Sequence, residues 1–288
     1  CASVDVLSAA TPKGYFKEVR QEYGADAAIR LGPWTVSAGA VYSRENDYSS
    51  ITATLGGAVE LFQRNTTLSL GYGFTDSNIG LAGDPKFERD LDSHTVNASI
   101  TQTLHPRVVA QLSWFLGTLT GYQSSPYRMA HLDDGSASPE RMPDLRIRSA
   151  ATARLKLAPS RDSFVAVDYR FYFDDWQLLS HTGEVSFTHQ PTDWFSWRVR
   201  DRVHYQGGSA FYQSSYATPM KYMTTDRELS ELWSNLVGLK VIFDVPVGPD
   251  FGLSLDAKVD FTYQRFTDFP LLPERIMWVT EAGVTLDF

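Results

Sequence analysis

The sequence predicts an all-β fold, an antiparallel up-and-down transmembrane β-barrel of about 14–16 strands with short periplasmic turns and long extracellular loops. Three observations predict it. Apolar and polar residues alternate with a period of two along most of the chain. Alternately short and long connections separate these segments, each longer than the roughly 9–11 tilted residues that cross hydrocarbon. Aromatic residues, 13% of the chain, gather towards segment ends, where interfacial girdles lie.

The alternation runs from about residue 16 to the carboxy terminus and predicts about thirteen strands. In the first half the alternating apolar residues that mark the strands lie within 19–31, 34–42, 51–61, 68–74, 96–104 and 108–116, and the strands themselves are expected to extend beyond several of these ranges. In the second half they lie within 145–157, 165–173, 179–187, 195–205, 233–243, 251–263 and 275–288. Tight turns are predicted at 32–33, 63–65, 105–107, 159–161, 190–193 and 246–249, and long loops at about 76–92, 121–142 and 206–227. No segment has a helical period, which excludes α/β architectures.

Composition narrows the possible functions. The net charge of −8 argues against nucleic acid as a partner, because nucleic acid needs a basic face. The single cysteine excludes a disulfide framework and Cys-based metal or haem sites, so no cofactor is expected. Cys1, followed by small residues, is also compatible with the mature terminus of a lipoprotein.

The last strand indicates the compartment. Gly283, Leu286 and Phe288 are spaced like the terminal insertion signal of Gram-negative outer-membrane barrels. This predicts the outer membrane of a Gram-negative bacterium, with outer-membrane lipid and lipopolysaccharide as partners; the alternative is the last strand of a soluble sheet. If Phe288 is periplasmic, an even strand number requires one more strand, either before Cys1 or within residues 1–15, and we favour strands before Cys1. We therefore expect residues 1–288 to be a single barrel domain that lacks one or more N-terminal strands.

Several spaced motifs carry a family resemblance. They are Ser-Val-Asp-Val-Leu-Ser-Ala-Ala-Thr-Pro at 3–12, Ser-Arg-Glu-Asn-Asp-Tyr at 43–48, Pro-Glu-Arg-Met-Pro-Asp at 139–144, and Asp-Tyr-Arg-Phe-Tyr-Phe-Asp-Asp-Trp at 168–176, with Ser-His-Thr at 180–182. The chain resembles an uncharacterised family of Gram-negative envelope proteins that carries only a domain-of-unknown-function label. The resemblance implies further strands before the first motif, and it brings no established activity and no catalytic residues.

Charged residues accumulate on the parity opposite the apolar face. A basic wall is predicted from Arg146, Arg148, Arg154, Lys156, Arg170, Arg198, Arg200 and Arg202. An acidic wall is predicted from Glu18, Glu22, Asp26, Asp256, Asp260 and Glu281, which closure of the barrel would bring together. Opposed walls set up a transverse field that selects ions, which predicts a passive pore for small polar or ionic solutes. The alternative is that these groups are salt-bridged and fill the lumen of a structural or scaffolding barrel, a subunit of a larger envelope complex with a protein partner.

Three weaker features remain. Asp201 shares the parity of the apolar residues and marks either a bulge or a protein contact. Asp133, Asp134 and Glu140 could bind calcium through oxygen ligands. Enzyme templates such as Gly-x-Ser-x-Gly and His-Glu-x-x-His are absent, so no enzyme is expected; an outer-membrane hydrolase would use His181, His189 or His204 as its base.

Overall fold

The computed structural model describes residues 19–246 and 252–287, which form one thirteen-stranded antiparallel sheet and a small hairpin. The strands are β1 (Gln21–Leu31), β2 (Trp34–Arg44), β3 (Tyr48–Leu61), β4 (Thr66–Leu81), β5 (Asp84–His105), β6 (Val108–Gly121), β7 (Met129–His131), β8 (Ala137–Pro139), β9 (Leu145–Leu157), β10 (Ser163–Asp174), β11 (Leu179–Thr192), β12 (Phe195–Gln206), β13 (Leu232–Pro246), β14 (Gly252–Phe266) and β15 (Glu274–Asp287). In the sheet every strand pairs with its neighbours in chain order, while β7 and β8 pair with each other. The all-β, up-and-down architecture is confirmed.

The sheet is not closed on itself. Among the described strands, β1 pairs only with β2 and β15 only with β14. Thirteen antiparallel strands leave β1 and β15 running in the same direction, so direct pairing between them would be parallel. The count of about 14–16 strands therefore stays a prediction.

One face of the sheet is apolar and uncovered. Leu55, Leu70 and Leu112, from three neighbouring regions of the sheet, are 62%, 61% and 60% exposed. Burial of such side chains is the main stabilising term of a water-soluble fold, and here a continuous apolar surface lies open instead. No helix in the described part of the chain is long and apolar enough to span a membrane.

The predicted tight turns are found at one end of the sheet, called here the turn end. Residues 32–33, 62–65, 106–107 and 158–162 connect their strands there. Strand β11 runs on to Thr192, so the turn predicted at 190–193 shifts to 193–194. The turn predicted at 246–249 falls mostly outside the described residues.

The prediction of a long loop at 76–92 is wrong. Strands β4 and β5 continue through this segment and meet in a two-residue turn at Ala82-Gly83, where Gly83 takes a φ of +90°. The segment is polar because a hairpin that projects beyond an apolar band needs no apolar face. Polar composition therefore did not distinguish a loop from an extended hairpin.

The other two long connections are confirmed, and they fold against each other. We call residues 122–144 and 207–231 the cap; it lies at the end of the sheet opposite the turn end. Ala130, Tyr216 and Met223 form one buried cluster, and Leu229 joins Trp176 and Leu178 in a second. The largest fully buried side chains lie in or beside the cap: Tyr216, Phe266, Met223, Thr224 and Ser230. The tightest packing among the described residues is thus in the cap and not on the sheet.

Candidate functional site

The face of the sheet opposite the apolar surface is concave. One cavity of about 740 Å³ is lined jointly by Ser37 of β2 and Arg170 of β10. A second cavity of about 580 Å³ extends from Thr152 of β9 to Met277 of β15. Strands so far apart in the sheet share a cavity only if the sheet curves around it, so we call this the inward face.

Strands β2 to β6 line the inward face mostly with small, uncharged residues; the exceptions include Phe115 and Glu60, which pairs with Arg30. A Cβ atom on Gly56 would lie 2.5 Å from Ser37 Oγ, and one on Gly73 would lie 2.7 Å from Thr95 Oγ1. Ser69 and Ser99 are hydrogen-bonded at 2.6 Å. This half of the inward face is polar, and its short side chains leave space in front of the sheet.

Strands β9 to β12 carry the predicted basic wall on the inward face, and half of its residues are ion-paired. Arg154 pairs with Asp168 on the next strand. Arg202 Nε lies 2.7 Å from Glu184 Oε2. Arg146 Nη2 lies 2.6 Å from Asp174 Oδ2. Each of these arginines is therefore locally neutralised.

Arg200 is paired across an intervening strand. Its guanidinium reaches from β12 over Gly238 of β13 to Asp260 of β14, with Nη2 2.6 Å from Oδ2. A Cβ atom on Gly238 would lie 2.2 Å from Asp260 Oδ1 and 2.9 Å from Arg200 Nε. The absence of a side chain at Gly238 therefore makes room for this ion pair.

The carboxylates of the predicted acidic wall near the carboxy terminus are also neutralised. Lys258 Nζ lies 3.0 Å from Asp260 and 3.1 Å from Glu281, and Lys240 Nζ lies 3.1 Å from Asp256. The two predicted walls are thus joined by ion pairs, and little transverse field remains on this side. Lys258 and Lys240 are site residues that the sequence analysis missed, although Lys258 shares the parity of Asp256 and Asp260.

The remaining predicted residues lie apart. Glu22 and Asp26 are on β1, at the sheet edge opposite β15, and Glu22 pairs with Arg20. The structure does not bring them beside Asp256, Asp260 and Glu281, because β1 and β15 do not pair. Glu18 and Phe288 lie outside the described residues. A Cβ atom on Gly283 would lie 2.5 Å from Asp256 Oδ1, and Leu286 is exposed on the apolar face; the insertion signal itself stays a prediction.

The other half of the basic wall is not ion-paired in the part of the chain that the structure describes. Within the described ranges, no carboxylate forms a salt bridge with Arg148, Lys156, Arg170 or Arg198. Lys156 and Arg198 share a third cavity, of about 430 Å³, with Arg107 from the turn end. Arg107 is a further residue that the sequence analysis missed, since it lies in a turn where side-chain parity does not apply.

The cap is fastened to the inward rim of the sheet. Ala210 N of the cap donates to the carbonyl of Trp176, in the turn after β10, at 2.9 Å, and the Trp176 ring lies 5.1 Å from the ring of Phe211. Gln206 Nε2 donates to the carbonyl of Glu228 at 2.8 Å, and Arg275 Nη2 lies 3.2 Å from Glu228 Oε1. The cap therefore lies over one mouth of the inward face.

A buried glutamate lies inside the cap. The Glu140 side chain is fully buried, accepts hydrogen bonds from Thr224 Oγ1 and from Ser125 N, and lies 3.6 Å from Arg128. Burial raises the pKa of Glu140, although Thr224 and Arg128 oppose this shift.

The calcium hypothesis is not supported by these contacts. Asp133 bonds to Ser215, and Asp134 bonds to Ser136 within its own turn, while Glu140 points into the cap. The described residues contain no group of three or more His, Cys, Asp or Glu side chains that could hold a metal ion.

Polar groups also occur on the outward, apolar face. Asn235 Nδ2 lies 2.5 Å from Asp201 Oδ1, on strands β13 and β12. Asp201 therefore marks a polar pair in a regular strand, since β12 pairs with β13 without a bulge there. The three histidines of the hydrolase hypothesis do not converge: His181 bonds to Tyr169, His189 to Ser163, and His204 to Thr182, the last of these on the inward face.

The chain matches one protein family, and its structure resembles known outer-membrane proteins. A family described as "Protein of unknown function (DUF3570)" matches residues 2–265. No curated protein matches the chain. The structure resembles the siderophore receptor PirA from Pseudomonas aeruginosa, with a TM-score of 0.58 at 10% identity, covering 93% of this chain and 51% of that one.

Two further structures are similar. PirA from Acinetobacter baumannii gives a TM-score of 0.56 at 9% identity, covering 94% of this chain and 48% of the receptor. The alcaligin outer-membrane receptor FauA from Bordetella pertussis gives 0.51 at 11% identity, covering 92% of this chain and 54% of the receptor. The chain thus spans about half the length of these structures, and the likeness shows that its fold is that of outer-membrane β-barrels.

Proposed function

Because the chain belongs to the family described as "Protein of unknown function (DUF3570)", which names no activity, we propose its function from its geometry: an outer-membrane β-barrel that passes small polar or ionic solutes through a charged lumen, without catalysis. The inward face supports this proposal. A half with short polar side chains lies opposite a half with charged side chains; the cavity of about 740 Å³ touches both halves, and the cavity of about 580 Å³ lies in front of the charged half. Such a surface suits a hydrated passage, since water screens charges and satisfies polar groups that the protein does not.

The outward face supports the proposed surroundings. Its exposed leucines, valines and aromatic side chains match an acyl-chain environment, with lipid and lipopolysaccharide of a Gram-negative outer membrane as the partners. The cap would then lie outside the cell and the turn end in the periplasm.

Single-channel current of the purified, full-length protein in a planar bilayer tests the pore. We expect discrete open steps whose size falls when the inward Ser99 is replaced by a bulky residue, as in Ser99→Trp. The matched variant Leu112→Trp, on the outward face, should keep the wild-type step. A folded barrel that stays electrically silent would refute the open pore.

A second candidate function is a structural barrel with an occluded lumen that serves as a subunit of an envelope complex. Two observations favour it: the packed cap over one mouth, and the Asp201–Asn235 pair on the outward face, where a protein partner could contact it. Replacing 209–229 by a short Gly-Ser linker separates the candidates. A silent protein that conducts only after this replacement has a lumen closed by its cap.

A further inference from the structure

The third cavity, at the turn end of the inward face, is lined by three cations and by no carboxylate. Lys156 comes from β9, Arg198 from β12 and Arg107 from the turn between β5 and β6. Arg107 Nη1 donates to the carbonyl of Pro159 at 3.3 Å, so part of its guanidinium is held in place. Lys156 and Arg198 form no salt bridge within the described ranges. Three positive side chains therefore lie together in this cavity, without the carboxylate partners that other inward arginines have.

The lining also supplies neutral hydrogen-bonding groups. Ser186 and Thr188 of β11 project their hydroxyls into the same cavity, between Lys156 and Arg198. Guanidinium and ammonium groups donate charge-assisted hydrogen bonds to oxyanions, and an arginine fork can grip two oxygens at once. Two cationic side chains flanking two hydroxyls can together donate hydrogen bonds to several oxygens of a tetrahedral oxyanion.

The excess of positive charge is local to this cavity, as the neighbouring inward residues show. Arg154 and Arg202 lie two residues closer to the cap along their strands than Lys156 and Arg200, and they are neutralised by Asp168 and Glu184. On β14 the ammonium of Lys258 lies between two carboxylates. Among the strand residues whose side chains the structure describes, the inward carboxylates without a salt bridge, Asp26 and Asp244, do not line the cavity. The positive potential there is therefore not cancelled by neighbours, although the chain carries a net charge of −8.

Further unpaired cations continue towards the cap. Arg170 lies beside the hydrogen-bonded pair Thr182–His204 on the inward face, with Thr182 Oγ1 2.8 Å from His204 Nδ1. Arg148 lies higher still, opposite Asp174, and its buried Nε has no hydrogen-bond partner among the described residues. Unpaired positive groups thus occur at three heights between the cap and the turn end.

From this arrangement we propose that the third cavity binds small oxyanions of the inorganic phosphate class, and that the solutes of the pore are anions. The selectivity part of this inference rests on the proposed pore; the binding part does not. The unpaired cations at successive heights would lower the energy of an anion along its path, while the ion-paired groups contribute little net field.

Two measurements on the full-length protein test the proposal. In a potassium chloride gradient across a planar bilayer, the reversal potential should show a preference for chloride over potassium. Arg198→Gln should reduce that permeability ratio about tenfold, because one unit charge at about 6 Å in water changes the energies of chloride and potassium in opposite directions by a factor of about three each. Arg161→Gln, which removes the same charge from an exposed turn outside the cavity, should leave the ratio unchanged, and Arg198→Lys should retain most of it.

Calorimetric titration of the detergent-solubilised protein with inorganic phosphate provides the second readout. Binding should be saturable and should be lost in the double variant Lys156→Gln/Arg198→Gln. Heat-modifiable migration on a gel verifies that each variant is folded.

The outcomes separate the two proposals. A conducting protein that prefers potassium, or that responds equally to Arg198→Gln and Arg161→Gln, overturns the anion inference and leaves the pore intact. An electrically silent protein refutes the pore, and phosphate titration then decides the site alone. Absence of phosphate binding, or binding that survives the double variant, refutes the site.

Discussion

Gly238→Ala is the substitution whose effect the geometry predicts most directly. Arg200 and Asp260 bond to each other across Gly238, and their side chains are 18% and 6% exposed. The added methyl would lie 2.2 Å from Asp260 Oδ1 and 3.0 Å from Arg200 Cγ. These distances are inside van der Waals contact, so one partner must move and the bidentate contact must open.

The expected cost follows from two opposing contributions. A hydrogen bond to a charged group is worth about 1.5–3 kcal/mol. Replacing a strand glycine by alanine gains roughly 0.5–1 kcal/mol through backbone entropy. Gly238→Ala should therefore lower the free energy of unfolding by about 1–2 kcal/mol.

Urea unfolding in phospholipid vesicles, followed by tryptophan fluorescence, measures this change. The matched control is Gly183→Ala, since no atom lies within 4 Å of its added Cβ and the position is on the outward face. This control should be neutral or slightly stabilising. In an Asp260→Ser background, Gly238→Ala should lose most of its cost, because the clashing carboxylate is gone.

If Gly238→Ala proves as stable as Gly183→Ala, the ion pair across β13 does not exist in the folded protein. A cost that persists unchanged in the Asp260→Ser background would show that the methyl clashes with another neighbour, such as the Arg200 side chain, and not with the carboxylate. Either result refutes the account of how the predicted walls are joined.

Three further predictions concern the cap and the outward face. Trp176→Ala removes a buried ring under the cap and should expose 207–231 to limited proteolysis, at a cost of about 3 kcal/mol or more; Trp194→Ala, an exposed ring, should not, and equal protection in both would contradict the packing described. Burial raises the pKa of Glu140, so protonation of this side chain stabilises the folded cap. The stabilisation of the cap is complete below the ordinary glutamate pKa of 4.5 and is lost as the pH rises through the raised pKa. Hydrogen exchange of cap amides should accelerate over that window beyond its intrinsic rate, and a Glu140→Gln protein that keeps the same pH dependence would assign it elsewhere. Asp201→Val/Asn235→Val removes the polar pair from a lipid-facing surface and should stabilise the protein by about 1 kcal/mol; destabilisation, measured by the same urea unfolding, would instead indicate a protein contact.

The sheet was predictable because each of its strands carries its own signal. Side-chain alternation gives the strand and its faces at once, and short turns such as 105–107 interrupt it visibly. The hairpin from β4 to β5 was not predicted because alternation fades where the strands leave the apolar band. The packing of the cap was not predicted for a different reason. Tyr216 and Met223 are buried by contacts with Ala130, far away in the chain, and no periodicity marks such contacts.

The inward location of the charged residues was predictable from parity, while their partners were not. Arg200 meets Asp260 only because the registers of β12, β13 and β14 bring Gly238 between them. Register depends on the turns and on the pairing of whole strands, which single residues do not reveal. Lys258 was accessible to the same parity argument, yet grouping the acidic residues hid the cation between them.

The most direct test of the central claim, that one face of the sheet contacts water in a lumen and the other contacts lipid, is cysteine accessibility. In a Cys1→Ser background of the full-length protein in native membranes, single cysteines at the inward Ser99, Thr152 and Ser186 should react with a small hydrophilic thiol reagent. Cysteines at the outward Leu70, Leu112 and Val185 should stay protected. Equal reactivity of both sets would contradict a membrane barrel, and protection of both sets would contradict a hydrated lumen.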